Sequence, residues 1–119
     1  MLSVVDIIRR SMRVHAIRPG RGAAVAIDTI VTVADRDHVV SFARDEEGRK
    51  GGTWATAEPA QFVASGYYRM VASVVHALGD VTAHDAARLR EVLRTLHDDV
   101  CVVADAALDA YDATRGAQA

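Results

Sequence analysis

The residues of this chain with the strongest claim to chemistry are the run Arg49-Lys50-Gly51-Gly52-Thr53, five histidines, and Asp28, a carboxylate between Ile27 and Thr29. Glycines beside a lysine let backbone N–H groups approach an anion, the chemistry of a phosphate-binding loop. Such a loop needs G-x-x-x-x-G-K-[ST] between a strand and a helix start, and that spacing is not met. The run is expected to be an exposed hairpin loop. His15, His38, His76, His84 and His97 are spread over every element, and no two stand at i and i+4, as a helical zinc pair requires. His97-Asp98-Asp99 is the densest polar cluster and reads as a solvated stretch flanking an apolar helix stripe. No metal or cofactor is expected. Ser41, Ser65 and Ser73 do not lie on a G-x-S-x-G turn, and no catalytic residue is assigned.

Asp28 shares its strand face with Ala24 and Ala26, so exposure is the expectation; burial would raise its pKa and give it functional interest. Asp28, Trp54 and Tyr67 are the candidate lining of a sheet–helix pocket, the basis of an alternative in which the chain binds a small molecule or acts on one. Aromatics at such positions more often fill a core.

Charge is the second signal. The 119 residues carry 14 basic and 16 acidic groups, and the only lysine is Lys50. Arg9, Arg10, Arg13, Arg18 and Arg21 face only Asp6 within residues 1–22, so this segment carries 5 − 1 = +4 and the remainder 9 − 15 = −6. A clustered set of cations suits phosphate contact, so nucleic acid is a possible partner for this arm; a subunit contact between basic arm and acidic body is the other. The order helix–strands–helix is shared in outline with double-stranded-RNA-binding domains. Those domains place lysines at the start of their second helix, where this chain has Glu58, Pro59, Ala60 and Gln61, and no family is assigned.

The elements follow from period and punctuation. Ser3 and Asp6 form a capping box ahead of Ile7, Ile8 and Met12, which predicts a helix over 3–15 within a basic helical arm, 1–22. From residue 23 the period is two, with Val25, Ile27, Thr29, Val31 and Val33 on one face. Asp35-Arg36-Asp37 is expected to turn the chain into a strand His38–Arg44. A polar loop follows over 45–52, then a short third strand at Thr53–Thr56. Pro59 opens a helix, 58–79, that stops at Gly79. The long final helix, 82–113, starts at the capping box Thr82/Asp85, runs through His97–Asp99 without a break, and leaves a frayed tail, 114–119. The expected fold is α+β: an N-terminal helix, a small antiparallel hairpin or three-stranded meander over 23–57, and two helices, all in one domain.

The last helix carries an apolar stripe at heptad spacing: Ala86, Leu89, Leu93, Leu96, Val100, Val103, Ala107 and Ala110. A helix of this length is roughly 40 Å long, more than so small a domain needs. Half the residues are hydrophobic but only 5% aromatic, so the core is made of small side chains and gains from burial against a second chain. Leu89, Val92, Leu93, Leu96, Val100, Val103 and Ala107 are therefore the expected oligomer interface. The favoured function is a non-catalytic homo-oligomeric protein-binding or regulatory protein that assembles through this helix and has a protein partner. The single cysteine, Cys101, excludes an internal disulfide, and no apolar run approaches the ~18 residues of a membrane span. A cytoplasmic, membrane-free protein is expected.

Overall fold

The computed structural model describes residues 3–52, 66–79 and 85–118. In chain order they form α1 (Val4–Ser11), β1 (Arg13–Pro19), β2 (Val25–Val33), β3 (Arg36–Arg44), β4 (Lys50–Gly52), α2 (Gly66–Leu78) and α3 (Ala86–Gln118). The strands make one antiparallel sheet in the order β1-β2-β3-β4. The architecture is α+β as expected, with a four-stranded sheet in place of the two or three strands anticipated.

Local signals account for most boundaries. The Asp6 backbone N–H donates to Ser3 Oγ at 3.1 Å, so the capping box forms as read. The helix ends earlier than residue 15, because Met12 is already extended. The Ser11 hydroxyl donates to the Ile8 carbonyl at 2.6 Å and accepts from the Thr32 N–H at 2.9 Å, fastening the last turn of α1 to β2. The helical arm expected over 1–22 is thus a short helix followed by an edge strand. The register shifts between Val14 and Ala16, so the extra residue at His15 places Val14 and Ile17 on one side of β1 three positions apart. Three-residue spacing imitates a helical face, which is why this strand reads as helix.

The β2–β3 hairpin turns one residue pair earlier than expected, at Ala34 and Asp35, with φ of 49° and 65°. Two consecutive positive φ values are the signature of a tight hairpin turn that favours Asn-Gly. The loop after β3 closes over 45–49, and β4 begins at Lys50, ahead of the third strand expected at 53–56, which lies outside the described residues. So do residues 58–65 of the expected second helix. Gly79 adopts φ +62° just after α2, as its stop position predicts. Asp85 caps α3 by accepting from the Arg88 N–H at 2.9 Å. The helix runs unbroken through His97–Asp99 and on to Gln118, past the frayed tail expected from 114, with Arg115 donating to the Gly22 carbonyl at 3.2 Å.

All three helices lie on one face of the sheet. That face presents Val25, Ile27, Thr29, Val31 and Val33 of β2 and Val40 and Phe42 of β3, every one buried. Against it α3 sets Leu96, Val100, Ala104 and Leu108, α2 sets Met70 and Val74, and α1 sets Ile8. The Thr29 hydroxyl, buried in this layer, donates to the Val40 carbonyl at 2.8 Å. Ion pairs pin α3 at the rim: Arg44 to Asp112 and Lys50 to Asp105, both at 2.8 Å.

Two stability outcomes follow. Leu96→Ala removes a fully buried side chain from the α3–sheet contact and is expected to lower unfolding free energy by about 2–5 kcal/mol in a denaturant titration. Replacing Ala34-Asp35 by Asn-Gly relieves two positive-φ positions and is expected to raise it by roughly 1 kcal/mol, read by the same titration.

Candidate functional site

The opposite face of the sheet is built from the alternate residues of the same strands. Pairing places Arg18, Ala26, Ala43 and Gly51 in one row across the four strands, and Ala16, Asp28 and Ser41 in the next. Arg13, Ile30 and Val39 form the third row, and Thr32 and Asp37 the fourth. Among the described residues no element packs on this face. Ile30 is half-buried by its neighbours, and Val39 is 42% exposed.

The charges of the face are neutralised within it. Arg18 donates to Asp28 through two bonds, Nε to Oδ2 at 2.8 Å and Nη2 to Oδ1 at 2.9 Å, and the Ser41 hydroxyl donates to Oδ1 at 2.8 Å. The fork is a planar bidentate pair, the strong form of this interaction. Asp37 accepts from the Thr32 hydroxyl at 2.6 Å and pairs with Arg13 at 3.6 Å, while Arg13 also reaches Thr32 Oγ1 at 3.3 Å. Between these two polar clusters stand Ile30, Val39 and Ala16.

Asp28 therefore differs from expectation. It is only 9% exposed, because the Arg18 side chain from the neighbouring strand lies across it. Its carboxyl is held below the usual range, first by the Arg18 hydrogen bond and then by Ser41 and the Arg18 charge, which outweigh the upward push of burial. A carboxylate so stabilised is a poor proton acceptor, which argues against a general-base role. Its pocket partner Trp54 lies outside the described residues; Tyr67 is in α2, with only its backbone described.

The glycine-containing loop binds its own anion. Asp45 Oδ1 accepts from the N–H groups of Arg49 at 2.8 Å and Glu47 at 3.0 Å, and Gly48, at φ +89°, closes the turn. The inward N–H groups that a phosphate would use are occupied by this carboxylate. Gly51 belongs to β4, and Lys50 is turned to Asp105.

The five arginines of the N-terminal segment do not share a surface. Arg9, on the helical layer, pairs with Asp99 of α3; Arg13 and Arg18 lie on the open sheet face in the pairs above; Arg10 is exposed on α1, and Arg21 is in the β1–β2 connection. Arg9 and Arg10 border an open furrow of about 520 Å³ between α1 and α3, lined also by Met12, Val103 and, at its outer edge, the exposed Val102.

The residues expected to form an oligomer interface are largely used within the chain. Leu96 and Val100 are completely buried against the sheet, and Val92, Leu93 and Ala107 pack beside them. Val103 is half-buried at the furrow and Leu89 half-buried near the start of α3. Sequence reasoning missed Ala104 and Leu108, which continue the buried line from Leu96 and Val100 in steps of four. The outward side of α3 is polar, apart from five alanines (Ala86, Ala87, Ala106, Ala110 and Ala113) and Val102, the last 65% exposed.

Among the described residues no three His, Cys, Asp or Glu side chains converge to hold a metal, and no helix is long and apolar enough to cross a membrane. Comparison with protein-family models, curated proteins and solved structures finds no match for this chain.

Two groups give the fold a pH dependence of known sign. Asp28 has a folded pKa below its ordinary 3.8, so its contribution is complete above that value and is lost as pH falls through the folded pKa. His38 is held below its ordinary 6.5, chiefly by burial and then by the Arg36 and Arg69 charges, and its Nε2 has no hydrogen-bond partner among the described residues. Below pH 6.5 the unfolded chain binds a proton that the folded chain resists, so stability falls from there until the folded pKa is passed. In urea titrations across pH, Asp28→Asn is expected to lose about 1.5 kcal/mol at pH 7 and to flatten the acid limb. His38→Gln is expected to flatten the slope just below pH 6.5; an unchanged slope contradicts the assignment.

Proposed function

We propose that this chain is a non-catalytic binding protein and that the open face of its sheet is the surface on which a protein partner sits. The observation that carries this is the pairing of each arginine and aspartate on that face with another on the same face. Covering a surface strands its unpaired charges at several kcal/mol each. Here Arg18 is paired with Asp28, which also accepts from Ser41, and Arg13 is paired with Asp37, which also accepts from Thr32, before any partner arrives. Between them Ile30 and Val39 supply an apolar centre, the arrangement of a protein interface with a desolvated middle and a polar rim. A sheet face meant only for water alternates apolar-in with charged or polar-out. Apart from Asp28 and Thr32, the outward residues of β2 are Ala26 and Ile30.

The assembly role expected of α3 moves, on this account, to the other side of the sheet, since the α3 stripe is consumed in holding the helix to its own strands. A photo-crosslinking residue placed at Val39, and separately at Val102 on the outer side of α3, distinguishes the two surfaces in the cells that make the protein. The expected result is a discrete adduct from position 39 and little from position 102. Adducts from 102 alone would return the binding surface to the helical layer and overturn the proposal.

A further inference from the structure

Resting on the reading of the open face as a protein-binding surface, we infer that the partner sets an aromatic side chain flat on the guanidinium of Arg18, which Asp28 holds in place for it. Arg18 and Arg13 are the two arginines paired on this face, and they are held differently. Asp28 takes the Nε–Nη2 edge of Arg18 through two bonds of 2.8 and 2.9 Å. One bond leaves a guanidinium free to turn; two fix its plane as well as its position. Asp28 is itself steadied by the Ser41 hydroxyl at 2.8 Å. Arg13 instead spreads its nitrogens over the Ser11 carbonyl, Thr32 Oγ1 and Asp37, at 2.9, 3.3 and 3.6 Å, with no fork.

Fixed at its edge, the Arg18 side chain is still 61% exposed. Its neighbours on the face are Ala26 across the strand pair and Ala16 on its own strand, side chains that end at Cβ. Among the described residues no aromatic ring lies over it. The chain does stack this way elsewhere, with Arg115 over the Tyr111 ring at 5.6 Å from its centroid.

Charge and geometry sort the side chains a partner can bring. A carboxylate reaches only the Nη1 end of a guanidinium whose charge Asp28 already neutralises. A cationic group meets the Arg18 charge first, because the Asp28 side chain is only 12% exposed. An aliphatic side chain gains area anywhere on the face and nothing from Arg18 in particular. A ring gains from the guanidinium plane itself, which is weakly hydrated and attracts the negative face of the aromatic quadrupole. That attraction strengthens as the partner excludes water, and the pairing with Asp28 means that no lone charge is buried with it. Arg18 is already ordered, so less rotamer freedom is lost on contact. Arginine and the aromatics are also the residue types that dominate binding energy at protein interfaces.

The first test titrates the whole protein with N-acetyltryptophanamide as a free aromatic probe while NMR follows the arginine Nε–H signals. Arg10 and Arg21, exposed and in no ion pair among the described residues, are the internal controls. The ring-current shift at Arg18 is expected to be about threefold larger than at either control. The second test compares adduct yield from the crosslinker at position 39 in the otherwise unaltered chain and with Arg18→Lys added. Lysine keeps the charge and removes the plane, and the yield is expected to fall about fivefold at an unchanged melting curve. Should Arg18→Lys melt lower, the probe titration decides alone. A shift at Arg18 no larger than at the controls overturns the inference. So does an adduct that Arg18→Lys leaves undiminished, with the binding face then standing. No adduct without the substitution overturns the binding proposal and the inference with it.

Discussion

Everything else in this molecule depends on α3 lying against one face of the sheet. Leu96, Val100, Ala104 and Leu108 meet the inward residues of β2, and the ion pairs of Arg44 and Lys50 fix the helix at the rim. With few aromatic residues, the core gains its area from many small contacts, and a continuous 33-residue helix supplies them along one line. α1 and α2 fill the same layer. The buried stripes of these helices all lie on that side, and the sheet's other side remains as the broad surface without a covering element among the described residues.

That one-sidedness gives the Arg18–Asp28–Ser41 cluster its meaning. A carboxylate in the middle of a central strand is costly when its face is dehydrated, unless its lone pairs are filled. Asp28 is filled from both neighbouring strands, by Arg18 of β1 and Ser41 of β3. The cluster thus ties three strands together and also leaves the face ready to be covered. The same economy is visible in the 45–49 loop, where Asp45 fills the N–H groups its own turn exposes.

Much of the fold was legible in the sequence, because its signals are local. The Ser3 cap, the alternation from Val25 to Val33, the stop at Gly79 and the continuity of α3 each rest on neighbours within a few residues. β1 was hidden by its bulge, which spaces Val14 and Ile17 as a helix would. The open face was hidden for a different reason. Register is a long-range property, and nothing near Asp28 in the chain says that Arg18 and Ser41 lie beside it. The α3 stripe illustrates the same limit: an apolar line records that something covers it, and is silent on whether that cover is a second chain or the chain's own sheet.

The most direct measurement is solvent accessibility, residue by residue: NMR relaxation by a soluble paramagnetic probe, recorded on the protein in buffer and in an extract of the cells that make it. Protection should grow at Ile30, Val39 and Ala43 while Val102 and Ala106 on the outer side of α3 stay fully accessible. Protection confined to Val102 and Ala106, with Val39 and Ala43 unchanged, would contradict the account.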